Sequence, residues 1–154
     1  MGTSTDGQIC FGVMFEEDYE FPWSDRDDGI EDWWLEESGW KYDGENPFDA
    51  DGNFAPGFKE DDPRVDAYFD SQSSWKKSHP CPVVEINYQS GDYPAYILAI
   101  PDSLQTANRG NPVAINPEEL SVDGSAIEAL KEVCAKYDLK YEGEPSWYLS
   151  SYWG

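Results

Sequence analysis

The hydrophobic residues of this chain fall into short patterned runs separated by polar, strongly acidic stretches. Gln8 to Phe15 (Gln-Ile-Cys-Phe-Gly-Val-Met-Phe) is apolar at nearly every position, the pattern of an internal strand covered on both faces. Val83 to Gln89 and Ala95 to Ile100 are two further strand-like runs, and Ser90-Gly91-Asp92-Tyr93-Pro94 between them predicts a hairpin. The aromatic segment Trp147 to Trp153 supplies a last strand.

Three segments carry helical periodicity instead. Ile30, Trp33 and Trp34 share one face of a helix over Ile30 to Glu37, with Asp28 as cap, Glu31 completing a capping box and Gly39 as the stop. Asp62-Pro63 opens a second helix, a cap followed by proline in the first turn. Val65, Tyr68, Phe69 and Gln72 follow at helical spacing until His79-Pro80 ends it. Ser125-x-x-Glu128 is another capping box, opening a helix to about Tyr137 with Ile127, Leu130, Cys134 and Tyr137 facing inward. Trp40 to Lys59 reads as a long loop and Ser103 to Asn116 as a polar one. The expected fold is α+β, with about four mostly antiparallel strands, three helices and a long acidic loop. At 154 residues the chain suits one domain spanning 1–154.

Charge changes this picture most. The formal net charge is −22, and residues 1–62 hold 19 acids against three bases, while 63–154 hold 13 against seven. Aromatic residues are threaded through the acidic half, and a composition of 39% hydrophobic and 16% aromatic is too rich for a disordered acidic tail. Self-repulsion on such a surface costs stability, so the acidity calls for a reason. Phosphates and anionic lipids are repelled by it, which excludes direct nucleic-acid binding and membrane-surface binding as expectations. The longest clean apolar run, Ala95 to Ile100, is far too short to span a bilayer. Basic proteins remain, in particular the basic clefts of nucleic-acid enzymes.

Cys10, Cys81 and Cys134 form no Cys-x-x-Cys pair and are odd in number, which points to reduced thiols in a cytosol. The N-terminus lacks the basic region and apolar core of a signal peptide, and Asp6 breaks the myristoylation pattern. A soluble protein of the cytoplasm is expected.

Three stretches look familiar together: Thr3-Ser-Thr-Asp-Gly-Gln-Ile-Cys-Phe-Gly-Val-Met-Phe15, Asn87-Tyr-Gln-Ser-Gly-Asp-Tyr-Pro94 and Ser150-Ser-Tyr-Trp-Gly154. They resemble small acidic proteins encoded by tailed bacteriophages and prophages, a group that mostly lacks an assigned function. The resemblance implies a phage-derived accessory protein in a bacterial host cytoplasm and carries over no active site. In composition alone, the acidic half is also similar to phage DNA mimics that block host defence or repair enzymes.

The candidate binding residues follow from the acidic run. B-DNA presents about one negative charge per 1.7 Å of axis, and a crowded row of carboxylates can reproduce part of that row. The run offers Glu16, Glu17, Asp18 and Glu20, then Asp25, Asp27, Asp28, Glu31, Asp32, Glu36 and Glu37. Trp23, Trp33 and Trp34 among them, with Trp40 just beyond, would add apolar contacts that phosphates cannot make. The plainer alternative is a solvated acidic face. A candidate calcium loop is spelled by Asp49, Asp51, Asn53 and Glu60, oxygen ligands at the first, third, fifth and twelfth places of an EF-hand-like spacing. Phe54 stands where such a loop needs glycine, so the alternative is an Asx-turn with spare carboxylates and no cofactor.

His79 is the only histidine, and no Walker loop, dinucleotide fingerprint or His-Glu-x-x-His is present. With no catalytic set, a binding protein is expected in place of an enzyme. If Trp147, Tyr148, Tyr152 and Trp153 are exposed, they would form a self-association patch, and a homodimeric phage assembly component is the rival expectation.

Overall fold

The computed structural model describes residues 5–153. Thr3, Ser4 and Gly154 of the familiar stretches, and residues 1–4 of the N-terminal targeting reading, lie outside the described residues. The chain forms two compact units: one comprises the residues up to Ser24 and from Pro82 onward, the other Asp25–Cys81. The change in charge density at residue 62 therefore falls inside the second unit. The first unit holds 16 acids and four bases, and the second 16 acids and six bases.

The first unit is built on strand β1 (Thr5–Met14). A strand apolar on both faces is stable only when both edges and both faces are covered, and β1 is central. Along one edge it pairs antiparallel with β5 (Glu142–Trp153), from Thr5 opposite Trp153 to Met14 opposite Glu142, with a register shift between Gly12 and Met14. Along the other edge, β3 (Tyr96–Ala99) meets Gly12 to Met14, and β4 (Gln105–Ala107) meets Gly7 to Ile9. Strand β2 (Val84–Asn87) adds to β3 as the expected hairpin. The end of β5 returns to the hairpin turn, where the Trp153 amide donates to the Gln89 carbonyl at 3.1 Å. The fold class is α+β, and its antiparallel sheet has five strands.

The strand the sequence did not announce is β4, inside the stretch read as a polar loop. Gln105-Thr106-Ala107 has no apolar alternation, and its strand conformation comes from pairing with β1. Between β3 and β4 a 3-10 turn, Pro101–Ser103, interrupts the ladder opposite Phe11. The buried Ser103 hydroxyl fills the gap. It accepts from the Phe11 amide at 2.9 Å and donates to the Ile100 carbonyl at 2.6 Å, while the Ile100 amide donates to the Phe11 carbonyl at 2.9 Å. Backbone groups orphaned by the kink are thereby paired.

Cys10, Ile86, Ile97 and Ala99 form a buried cluster, with Met14, Val84, Tyr88, Leu104 and Tyr148 packed against it. The helix α3 (Gly124–Lys136) buries Leu130, Val133 and Cys134. Its inner face thus takes Val133 where Ile127 and Tyr137 were expected, and both of those are half-buried. Its cap is Asp123 and not Ser125. The Asp123 carboxylate accepts from the Ser125 amide at 2.8 Å, so the proposed capping serine is itself the capped residue.

The second unit pairs α1 (Gly29–Glu37) with α2 (Pro63–Ser78). α1 ends as expected at Gly39, whose φ of +90° suits glycine. The Gly39 amide bonds to the Glu36 carbonyl and the Trp40 amide to the Leu35 carbonyl, a Schellman stop. The capping box at its start does not form. Asp28 has ψ of 11°, short of the extended conformation a cap needs, and its side chain accepts no capping bond. α2 behaves as read: Asp62 is extended and accepts from the Arg64 amide at 2.9 Å, and His79 is the C-cap. Indole N–H groups tie the unit together. Trp75 donates to Ser38 Oγ at 2.8 Å, Trp40 to Ser71 Oγ at 3.3 Å and Trp34 to the His79 carbonyl at 3.0 Å. The loop between the helices is irregular, apart from one bridge between Phe48 and Phe54.

Two substitutions test the central ladder. A Cβ on Gly12 would lie 2.2 Å from the Leu98 carbonyl oxygen and 2.8 Å from the Ala99 Cα, both backbone, so Gly12→Ala must force β1 and β3 apart. Ser103→Ala leaves the Phe11 amide without its acceptor and is expected to cost about 1–3 kcal/mol. Urea denaturation should show a larger loss for Gly12→Ala than for Ser103→Ala, and wild-type stability in either would contradict the role assigned here.

Candidate acidic interface

The acidic run is divided between the two units. In the first, Glu16, Glu17, Asp18 and Glu20 are exposed in the turn after β1, with Asp18 in the left-handed region at φ of 57° that aspartate tolerates. Glu17 accepts a hydrogen bond from the Gln89 side-chain amide. Trp23 is not a surface anchor: it is 1% exposed and stacks on Phe21 with ring centres 4.8 Å apart. Its indole N–H donates to Glu85 Oε2. An indole inside the core needs an acceptor, and the carboxylate supplies one.

In the second unit, Asp25, Asp27, Asp28, Glu31, Glu36 and Glu37 are exposed and Asp32 is half-buried. Arg26 reaches across the helix start, 2.7 Å from Glu36 Oε2 and 3.4 Å from Asp32 Oδ2. Its hydrogen bond to Glu36 holds that carboxyl below the usual range. Trp33 is 3% exposed, so it too serves the core. Trp34 is half-buried, its N–H committed to His79. The apolar anchors expected at Trp23 and Trp33 are therefore absent from the surface, because the same indoles are what each unit is packed around.

Other aromatics reach the surface in their place. Asp28 and, from α1, Glu31 and Asp32 line a cleft of about 500 Å³ together with Phe48, Tyr68, Phe69, Gln72 and Lys76. The Phe48 ring centre is 5.5 Å from Tyr68 and 5.7 Å from Phe69, both edge-on, and Phe69 is 48% exposed. Burial first, and the Asp32 charge among the smaller causes, push the Tyr68 hydroxyl upward. Lys76 Nζ stands 4.0 Å from Glu31 Oε2, the one ammonium on the lining. Ring faces are electron-rich, so rings beside carboxylates favour an organic cation. Tyr68, Phe69 and Gln72 share the helical spacing expected of α2 in the sequence, but that spacing alone assigned them no place in a binding surface.

The loop at Asp49 is an Asx-turn. Asp49 Oδ1 accepts from the Asp51 and Asn53 amides, both at 2.9 Å, so the first proposed calcium ligand is engaged with its own backbone. Among the described residues, no three His, Cys, Asp or Glu side chains gather as metal ligands, so Asp49, Asp51 and Glu60, expected with Asn53 to form a calcium loop, do not converge as a set. His79 lies flat on Trp75, ring centres 3.7 Å apart, closing α2. Cys10 and Cys134 are buried, with thiols pushed up to about 11 by desolvation, as fits inert core fillers. Among the described residues, no helix is long and apolar enough to cross a membrane.

No protein-family model, no curated protein and no solved structure matches the chain. The resemblance to bacteriophage proteins thus rests on its three stretches alone.

Glu85 is the residue that sequence reading passed over. In the sequence it is one polar position of a strand; in the fold it is a half-buried carboxylate with an indole donor. Desolvation raises its pKa, and the Trp23 hydrogen bond opposes that rise. A carboxyl with a raised folded pKa favours the folded state at low pH, and that contribution is lost as pH climbs from the ordinary value of 4.5 through the folded one. Glu85→Gln keeps an acceptor for Trp23 and removes the charge. Its stability relative to wild type should rise with pH above about 4.5 in urea titrations. A difference that is flat with pH would contradict the burial cost.

Proposed function

We propose that this chain is a non-enzymatic binding protein that occupies a basic, nucleic-acid-binding site of a host protein with the acidic surface of its second unit. The observation that carries the reading is the cleft: the α1 carboxylates Glu31 and Asp32 and the exposed or half-buried rings of Phe48, Tyr68 and Phe69 line the same space of about 500 Å³. A solubilising surface has no use for exposed aromatic rings beside its carboxylates, whereas lysine and arginine side chains are drawn to that pairing. Asp28, Glu31 and Asp32 on its lining would set the rate of approach, and the rings, in place of Trp23 and Trp33, would hold the partner. Nucleic acid itself is not a partner, since a net charge of −22 repels phosphate. The buried thiols of Cys10 and Cys134 fit a reducing cytoplasm. The bacterial host and the phage-type role are proposed on the resemblance of the three stretches.

A pull-down from bacterial lysate, washed through a salt series and challenged with duplex DNA, tests this reading. A nucleic-acid-binding protein retained at moderate salt and displaced by DNA is expected. Changing Asp27, Asp28, Glu31 and Asp32 together to Asn or Gln should slow association about tenfold or more at low salt. The melting temperature should not fall by more than loss of the Arg26–Asp32 contact explains, because self-repulsion is relieved. A partner bound equally well by the neutralised protein would contradict the proposal.

A further inference from the structure

Away from its carboxylates the first unit carries a neutral surface, and we propose that this surface is the contact between two copies of the chain. It is centred on β5 and on a groove of about 110 Å³ lined by Ile9, Thr106, Ala107, Val113, Ile115 and Leu149 among others, none of them charged. Leu149 is 82% exposed, Trp153 59%, Val113 52% and Ile115 41%, a concentration of open apolar side chains in a unit with 16 acids and four bases. The run Pro145 to Trp153 holds no charge, nor does Gly110 to Pro117, which brings Val113 and Ile115 to the groove.

The backbone points the same way. Among the described residues, β5 pairs with β1 along its length, and its other edge meets only the hairpin turn, at its last residue. Proteins guard long free edges with charges, bulges or short strands, and from Ser146 onward this edge has no charge to keep another strand away.

Charge selects the occupant. A basic protein finds no carboxylate in the groove, while nucleic acid and anionic lipid are repelled by the chain as a whole. A second copy is repelled everywhere except at a neutral surface, and here it offers an identical one. Two β5 edges running antiparallel about a two-fold axis would each satisfy the other with the same residues on both sides.

This pairing has the opposite salt dependence from the proposed acidic contact, so the two can fail separately. Screening weakens attraction to a basic partner and relieves repulsion between two acidic copies. Sedimentation equilibrium from micromolar to submillimolar protein, at low and high salt, should show a dimer whose share rises with both concentration and salt. Leu149→Glu and, independently, Val113→Asp should be monomeric throughout with unchanged circular dichroism, since both side chains are more than half exposed. A monomer mass at every concentration and salt, or a dimer that survives both substitutions in folded protein, would overturn the proposal.

Discussion

Strand β1 can be satisfied only from both sides, and much of the first unit is the means of doing so. Cys10, Val13 and Phe15 are fully buried on and just beyond it, and a strand of that composition left at an edge would be an aggregation site. β5 covers one edge along its length, while β3 and β4 share the other, end to end across a kink. The kink leaves Phe11 without a strand partner on that edge, and the Ser103 hydroxyl completes the ladder there. Gly12 is glycine because the neighbouring backbone leaves no room for a Cβ. The exposed consequence is β5: in closing β1, it becomes the free edge.

The second constraint is charge. Thirty-two carboxylates cannot all find cations among ten bases, so most of them face water and repel one another. Each unit resists this by an aromatic interior, Phe15, Phe21 and Trp23 in one, Trp33 and Phe58 in the other. Arg26 and Arg64 add local relief, Arg26 on Asp32 and Glu36, Arg64 on Asp62 while lying 4.0 Å over the Phe58 ring. What remains after those uses is an unevenly distributed surface: acids beside open rings in one unit, and a neutral apolar strip in the other. Both departures from a plain solvated face are where binding is proposed.

Much of the fold was legible because local chemistry and tertiary need agreed. The apolar run at Ile9 to Phe15, the Ser-Gly-Asp-Tyr-Pro turn, the Asp62-Pro63 start and the Gly39 stop each carry their own structural reason. The failures have physical causes too. Gln105 to Ala107 is a strand only because β1 has an unfilled edge, which no local pattern records. Asp28 and Ser125 sit in capping-box spacing, but backbone geometry denies the cap to the first and Asp123 takes it from the second. The candidate site was half legible. Its acids were plain in the run from Asp25 to Glu37, but a tryptophan beside an acid looks the same whether it points to the core or to solvent. The rings that do line the cleft come from Phe48 and from α2, well over ten residues away along the chain, where only the fold brings them to α1.

The most direct test of the account is an NMR titration with a short peptide carrying one arginine, repeated with citrulline in its place. Citrulline keeps the shape and removes the charge. The account predicts saturable shifts at Asp28, Glu31, Asp32, Phe48, Tyr68 and Phe69 with arginine, weakened by salt and absent with citrulline. Shifts spread evenly over every acidic segment, or equal for the two peptides, would contradict it.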